Sequence, residues 1–109
     1  MQITLMQYED EKIESRITAI LEYGKLSICG CDTYKPTSQL PEGSEYEYEI
    51  SLDTFSTHQL LDLIASGKKE EEALFILKTM FQGKGADIKF QAYCLEHKIE
   101  TNCYSHFDD

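Results

Sequence analysis

The sequence predicts an α+β domain in which an antiparallel sheet of about four to five strands carries about two to three helices on one face. Three observations lead to this fold class: alternation of apolar and polar residues in the N-terminal half, a helical apolar period after residue 55, and one more predicted strand after residue 100. The length of 109 residues suits one hydrophobic core, so residues 1–109 are expected to form a single domain.

The first strands form a predicted hairpin. A weaker strand is predicted at Gln2–Tyr8, and the alternation from Lys12 to Tyr23 indicates a half-buried strand. A two-residue turn at Tyr23 and Gly24 leads into the next strand. Its register pairs Leu21 with Leu26, Ala19 with Ile28, Ile17 with Gly30, and Glu22 with Lys25. Pattern, turn and charge therefore agree on one pairing of the two strands.

The next strand is predicted to carry a row of carboxylates. The segment from Cys31 to Ser44 contains two prolines and a glycine, which favours a long surface loop, and Glu45–Leu52 then alternates as a strand. Its two faces are Tyr46, Tyr48, Ile50 and Leu52 on one side and Glu45, Glu47 and Glu49 on the other. Alternate residues of a strand lie about 7 Å apart, so the glutamates form a line. A charged edge strand that prevents association between sheets is the alternative interpretation.

Helices are predicted between residues 56 and 98. The first begins at a capping box in Ser56–Gln59, flanked by Phe55 and Leu60, and ends at Gly67. The second begins with the glutamates at 70–72, which suit the positive end of a helix dipole, and ends at Gly83. Its predicted core stripe consists of Ala73, Ile76, Leu77 and Met80.

The third helix is predicted from Ile88 to about Lys98, with Asp87 as its N-terminal cap. Its two apolar faces are formed by Ile88, Ala92, Leu95 and Ile99 on one side and by Phe90, Tyr93, Cys94 and His97 on the other. We expect both faces to be buried between the sheet and the neighbouring helices. An exposed aromatic face that binds a partner is the alternative. A final strand is predicted at Thr101–Phe107.

Charge argues against two classes of partner. Twenty acidic residues against ten basic ones give a net charge of −10, which repels nucleic-acid phosphates and anionic lipid surfaces. The segment Pro36–Gly67 holds six carboxylates and neither lysine nor arginine, so its negative field has no internal counter-charge. We therefore expect a surface that binds a basic protein, formed by Tyr34, Glu42, Glu45, Glu47, Glu49 and Asp53. A surface that only keeps the protein in solution is the alternative.

The cysteines and histidines give little support for catalysis. Possible ligand pairs are Cys29 with Cys31, Cys94 with His97, and Cys103 with His106, without the closed spacings typical of zinc sites. Residues three apart on a strand point to opposite faces, which separates Cys103 from His106. Acidic neighbours would raise the pKa of a thiol and disfavour the thiolate. The prediction is therefore no catalytic residue, no metal and no cofactor. The alternative is a small metal-binding or Cys/His-dependent enzyme around Cys94, His97, Cys103 and His106.

The expected compartment is the cytoplasm. The N-terminus shows no basic segment followed by an apolar run, and no stretch approaches the roughly 20 apolar residues that a membrane span needs. The four cysteines are accordingly expected as free thiols. A homodimer, formed through the aromatic face of the third helix or an unpaired strand edge, is a further alternative.

In its small size, cytosolic character, strong acidity, α+β pattern and lack of a catalytic motif, the chain resembles the immunity proteins of bacterial contact-dependent and polymorphic toxin systems. The resemblance covers general character over the whole chain and includes no sequence motif. It implies a cytoplasmic, non-catalytic inhibitor that binds a basic toxin domain, such as a nuclease, and masks its active site. The acidic residues named above would then contact the toxin.

Overall fold

The computed structural model describes residues 1–38 and 41–108, and in these residues it shows a five-stranded antiparallel sheet with three helices. The predicted α+β fold is confirmed. The elements are β1 (Gln2–Glu9), β2 (Ile13–Glu22), β3 (Lys25–Tyr34), β4 (Ser44–Ser51), α1 (Thr54–Ala65), α2 (Glu70–Phe81), α3 (Ala86–Glu96) and β5 (Asn102–Asp108). Strand order in the sheet follows chain order, so β1 and β5 form its two edges.

The hairpin of β2 and β3 has the predicted register. All four predicted pairs are present, including Leu21 opposite Leu26 and Glu22 opposite Lys25. The two turn residues, Tyr23 and Gly24, have positive φ angles of 53° and 72°, as the right-handed twist of a two-residue hairpin requires. The turn therefore sets the register from which the rest of the sheet is built.

One face of the sheet is buried by the helices. The buried residues on this face are Leu5, Ile17, Ala19, Leu21, Leu26, Ile28 and Ile50 from the strands and Leu52 just after β4, which pack against Leu60, Leu74, Leu77, Phe81, Phe90 and Cys94 from the helices. We call this the helix face. The alternate residues of β2, β3 and β4 point to the other side, and none of them is buried. We call that side the open face.

Helix α1 begins earlier than predicted. Its N-cap is Asp53, whose Oδ1 accepts a hydrogen bond of 2.7 Å from the backbone N–H of Ser56, so the predicted capping box at residues 56–59 is wrong. Asp53 precedes Ser56 by three residues, so its carboxylate accepts a hydrogen bond from the start of the helix and takes the capping position that was predicted for Ser56. Ser56 and Thr57 are consequently buried inside the first turn of the helix.

The hydroxyl of Thr57 joins α1 to the sheet. It accepts a 2.9 Å hydrogen bond from the backbone N–H of Leu26 and donates a 3.4 Å bond to the carbonyl of Leu52. The N–H of Leu52 in turn donates directly to the carbonyl of Leu26 at 2.9 Å. At this end of the β3–β4 ladder the Thr57 hydroxyl therefore bridges the N–H of Leu26 and the carbonyl of Leu52, in place of a direct hydrogen bond between them.

The last two helices bury part of the predicted residues: Ala73 and Leu77 in α2, and Phe90 and Cys94 in α3. In α2 the buried positions include Leu74 and Phe81, while Met80 from the predicted stripe is 40% exposed. In α3, Phe90 and Cys94 of the aromatic side enter the core, while on the aliphatic side Ile88 is 68% and Leu95 is 81% exposed. Ile99, the last residue of the predicted aliphatic side, lies beyond the end of α3 and is buried. The expectation that both faces of α3 are buried is wrong, because within residues 1–38 and 41–108 no helix packs against Ile88 and Leu95. Phe90 and Cys94 of the aromatic face are buried whereas His97 is exposed, and the homodimer stays a prediction.

Helix α3 also starts differently. It begins at Ala86 after Gly85, whose φ of 75° lies in the left-handed region, so Asp87 lies in the first turn and is not the cap.

The predicted loop from Cys31 to Ser44 is shorter than expected. β3 continues to Tyr34, which pairs with Ser44 at the start of β4, so the connecting segment comprises residues 35–43. Positions 39–40 of that prediction lie outside the described residues. Gly43 has a φ of 73°, and a side chain there would meet the carbonyl oxygen of Tyr34. Each helix in the described residues is too short or too polar to cross a membrane.

Replacing Thr57 with valine tests the hydroxyl bridge while keeping the shape of the side chain. The N–H of Leu26 then has no acceptor in a buried position, so we expect the free energy of unfolding to fall by about 1–3 kcal/mol. Thr57→Ser keeps the hydroxyl and removes one methyl group, so its loss should be smaller. Urea denaturation measures both variants, and equal stability of Thr57→Val and the wild type would contradict the bridge.

Candidate functional site

Three of the predicted binding residues form a line on the open face. Glu45, Glu47 and Glu49 point away from the helices, as the alternation predicted, and we call them the acidic row. Glu47 is exposed and the other two are partly exposed. Because β4 lies between β3 and β5, the row runs along an interior strand of the sheet. The alternative interpretation as a charged edge strand is therefore wrong.

Cross-strand pairing determines the neighbours of the acidic row. On β3, Thr33, Cys31 and Cys29 lie opposite Glu45, Glu47 and Glu49 in that order. On β5 the corresponding partners are Asp108, His106 and Tyr104. The row is thus flanked by two thiols on one side and by an aromatic ring, an imidazole and a further carboxylate on the other.

No cation of the described chain forms an ion pair with the acidic row. Within residues 1–38 and 41–108, the ion pairs join the Met1 amino group to Glu22 (3.6 Å), Lys35 to Glu9 (2.7 Å) and His58 to Asp62 (3.5 Å). Arg16 lies opposite Cys31 on the open face, but its Nε donates to Oε1 of Gln7 on β1, on the side away from the row. The charge of the row is therefore left to solvent or to a partner.

The other predicted binding residues lie elsewhere. Tyr34 belongs to the helix face, where its ring centroid is 6.4 Å from that of Phe107, so the sheet separates it from the acidic row. Glu42 is exposed in the segment before β4. Asp53 lies beyond the opposite end of β4, and the six strand steps from Glu45 to Ser51 alone span about 20 Å. The structure therefore brings three of the six residues together, and binding by each of them stays a prediction.

Asp53 has a defined structural contact. The hydrogen bond from the backbone of Ser56 is the main cause that holds the pKa of its carboxyl below the ordinary value, and the charge of Lys25 acts in the same direction. The carboxylate form is thus the one that caps α1. A partner that bound Asp53 would have to leave this cap intact.

The thiols beside the acidic row are held in the protonated form. Cys31 Sγ donates to Oε1 of Glu45 at 3.0 Å, and burial together with this bond raises the pKa of Cys31 to about 11. Burial, and then the charge of Glu49, raises the pKa of Cys29. The expectation that acidic neighbours raise thiol pKa values is confirmed at both positions. Cys94 differs, because burial alone raises its pKa to about 11.

The Cys/His pairs considered from the sequence are split up by the fold. Cys94 is buried, whereas His97 is exposed and stacks on Tyr93 with ring centroids 4.2 Å apart. Cys103 lies on the helix face, where Gln91 Nε2 donates to its sulfur at 2.9 Å, and His106 lies on the open face. The separation of Cys103 from His106 is therefore confirmed.

One group of possible metal ligands was not singled out from the sequence. Among the described residues, Cys31, Glu45 and Glu47 place their donor atoms within 4.8 Å of one another. The group joins two strands that are distant in sequence, so only the β3–β4 register reveals it. A thiol and two carboxylates are chemically able to bind zinc once the thiol loses its proton.

An aromatic cluster on the helix face was also missed. Tyr46 lies 5.7 Å from Tyr48 and 6.3 Å from Phe107 between ring centroids, and Tyr34 adds to the same cluster. The ring of Tyr48 covers Gly30 on β3, where any side chain would overlap it. The cluster borders a cleft of about 710 Å³ between the sheet and the start of α3. The alternation of β4 indicated these aromatic residues, but their contacts required the position of β5.

Together these features define a small acidic α+β protein with one packed and one open sheet face. Comparison with models of protein families, with curated proteins and with solved structures gives no match. The function is accordingly inferred from the charge, exposure and pairing of the residues described above.

Alkylation by iodoacetamide tests the state of Cys31, because the thiolate is the reactive form. With a pKa of about 11, Cys31 is expected to react slowly near neutral pH and faster as the pH rises from about 9 toward 11. Glu45→Gln combined with Glu47→Gln removes two negative charges and should accelerate the reaction near neutral pH. Peptide mass spectrometry locates the adduct.

Buried Cys94 serves as the internal control in this measurement, since its modification would report unfolding. A rate at Cys31 equal to that of the unfolded chain near neutral pH would contradict the raised pKa.

Proposed function

We propose that this chain is a non-catalytic protein-binding module whose acidic open face binds a cationic protein. In its most specific form, the proposal is that the chain acts in the bacterial cytoplasm as an immunity protein, which binds and neutralises a basic toxin domain. The observation that carries the proposal is the acidic row, because it forms no ion pair with the cations of the described chain.

The position of the acidic row suits recognition. An interior strand bonded on both sides holds its side chains at fixed spacing, so a partner meets a preorganised line of charge. The net charge of −10 adds a long-range attraction for any basic protein and speeds its encounter with the surface. Charge and geometry thus favour a macromolecular cation over a small neutral ligand.

Tyr104 supplies an anchor beside the row. It is 62% exposed and lies opposite Glu49 on the open face. An arginine of the partner could pair with Glu49 and pack on this ring, which combines a charge contact with a cation–π contact. Tyr104 therefore joins the acidic row in the proposed interface.

The thiol chemistry supports binding over nucleophilic catalysis. Cys29 and Cys31 lie beside the row, but burial and the glutamates keep their pKa values high. A thiol nucleophile at neutral pH requires the opposite surroundings, with cations or a helix N-terminus nearby.

A metal-binding function is the second candidate, and the donor group of Cys31, Glu45 and Glu47 favours it. Metal analysis of the purified protein separates the two functions. One zinc ion per protein chain, absent from Cys31→Ser, would show that the acidic row binds a metal ion. Metal-free protein that binds a cationic partner supports the proposal.

Charge reversal in the acidic row tests the proposal. The candidate partner is any cationic toxin domain found encoded beside the gene for this chain, and stopped-flow mixing measures the association rate. Glu45→Lys with Glu47→Lys should slow association about tenfold at low ionic strength, and less at high salt, because steering by charge is screened. Growth of cells that co-express the toxin domain should fall with the same variant.

The matched control is Glu11→Lys with Glu96→Lys. Both residues are exposed, and the change in net charge is the same as in the test variant. If the two double variants slowed association equally, the net charge would determine the association rate and the acidic row would have no specific part in it. If Glu45→Lys with Glu47→Lys left both the growth protection and the association rate unchanged, the proposal would be overturned. The specific proposal of an immunity protein would be overturned if no toxin domain were encoded beside the gene for this chain.

A further inference from the structure

The two edges of the sheet are protected to different degrees. β1 contains a bulge between Thr4 and Met6, and the carbonyl of Leu5 at this bulge accepts a 2.9 Å hydrogen bond from the N–H of Gly83, after α2. Bulges and covering segments are the usual means of blocking an edge. β5 pairs with β4 through its whole length without a register shift, and all seven of its residues are exposed. It also contains neither lysine nor proline.

The hydrogen-bonding pattern identifies the backbone groups of β5 that pair with no strand among the described residues. The bond from Leu52 N–H to Leu26 directs the backbone of residue 52 toward β3, so the backbone of Ser51 is directed toward β5. Ser51 pairs with Asn102, and the direction alternates along the strand. The N–H and C=O groups of Cys103, Ser105 and Phe107 therefore point outward from the sheet, where an additional strand would bind them.

The side chains of an added strand would meet two chemically different surfaces. On the open face they would lie beside Tyr104, His106 and Asp108, with the acidic row one strand further. The row lies two strand spacings, about 10 Å, from the added strand, and an extended lysine or arginine side chain together with that of a glutamate spans this distance. On the helix face they would lie beside Ile88 at the start of α3, which lines the 710 Å³ cleft together with Cys103 and Ser105. A groove of about 720 Å³ continues from Ile88 along the exposed side of α3 to Leu95 and to Thr101, the residue before β5.

We propose that the free edge of β5 binds one extended strand of the cationic partner, in which basic residues alternate with apolar ones. The basic residues then lie on the acidic open face and the apolar residues in the groove of α3. Backbone pairing supplies affinity in this mode of recognition, and the alternate side chains supply specificity. This inference rests on the proposed function, since it names the form in which the partner binds.

A second copy of this chain is a poorer occupant of the edge. Antiparallel pairing of two β5 strands would join two chains of charge −10 and place both acidic rows on one continuous face. Like charges in such an arrangement repel each other. A basic strand instead neutralises the same surface.

The experiment uses Ser105→Pro, with Ser105→Ala as its matched control. Proline removes an outward N–H and leaves the bonds to β4 in place, and proline is tolerated at such positions of edge strands. The probe is a synthetic peptide as long as β5 in which lysine alternates with valine. Two further peptides serve as controls: one with glutamate in place of lysine, and one with the lysines and valines in separate blocks.

We expect the alternating lysine peptide to bind more tightly than either control peptide in isothermal titration. Ser105→Pro should weaken its binding about tenfold, whereas Ser105→Ala should not change it. In the wild-type protein, amide hydrogen exchange at Cys103, Ser105 and Phe107 should slow when the peptide binds. Because the exchange measurement uses the wild-type protein, it tests peptide binding at the edge of β5 even if Ser105→Pro does not fold.

The outcomes separate this inference from the proposed function. Loss of binding in Glu45→Lys with Glu47→Lys, but unchanged binding in Ser105→Pro and unchanged amide exchange, would overturn strand addition and leave the acidic interface standing. If Ser105→Pro lost binding while Glu45→Lys with Glu47→Lys bound normally, the proposal that the added strand is basic and contacts the acidic row would be overturned. If light scattering showed a dimer of this chain that disappeared in Ser105→Pro, the edge of β5 would bind a second copy of the chain, and binding of a partner's strand there would be overturned.

Discussion

The pairing of β3 with β4 is the constraint on which the fold and the site depend. Leu52 donates to Leu26, and the hydroxyl of Thr57 closes the same end of the ladder through a side chain of α1. A slip of one residue would turn Glu45, Glu47 and Glu49 toward the core and Ile50 toward solvent. Burial of a carboxylate without a partner is costly, so the register is strongly determined. The position of the acidic charge thus follows from the packing of the opposite face.

The sequence predicts those parts of the fold that local chemistry decides. The β2–β3 register followed from the Tyr23–Gly24 turn together with the alternation, and the faces of β4 followed from its period of two. The boundaries were less predictable, because Asp53 competes with the residues of the predicted capping box and β3 continues through Tyr34 beyond its apolar residues. The first outcome was decided by competition between two local caps, and the second by the pairing of Tyr34 with Ile13 and Ser44 on the neighbouring strands.

The candidate site was predictable only along single strands. The line of Glu45, Glu47 and Glu49 needed nothing beyond the alternation of β4, whereas its neighbours Cys31 and His106 come from strands whose order the sequence does not state. The same limit explains Tyr34, which adjoins the acidic segment in sequence but lies across the sheet from the row. The exposure of α3 was missed for a related reason, since an apolar periodicity shows which residues share a face and not whether a neighbouring element covers it.

The acidic row alone is better suited to rapid encounter than to tight binding. Carboxylates on an open sheet are hydrated, and exposed charge pairs contribute only about 0–1 kcal/mol each. Tight binding requires buried apolar area and backbone hydrogen bonds, which the acidic row lacks. The adjoining edge offers both, because β5 has free backbone groups and α3 presents Ile88 and Leu95 beside it. Charge on β4 and contact area at β5 therefore have complementary roles: the first directs a basic partner to the surface, and the second can hold it there.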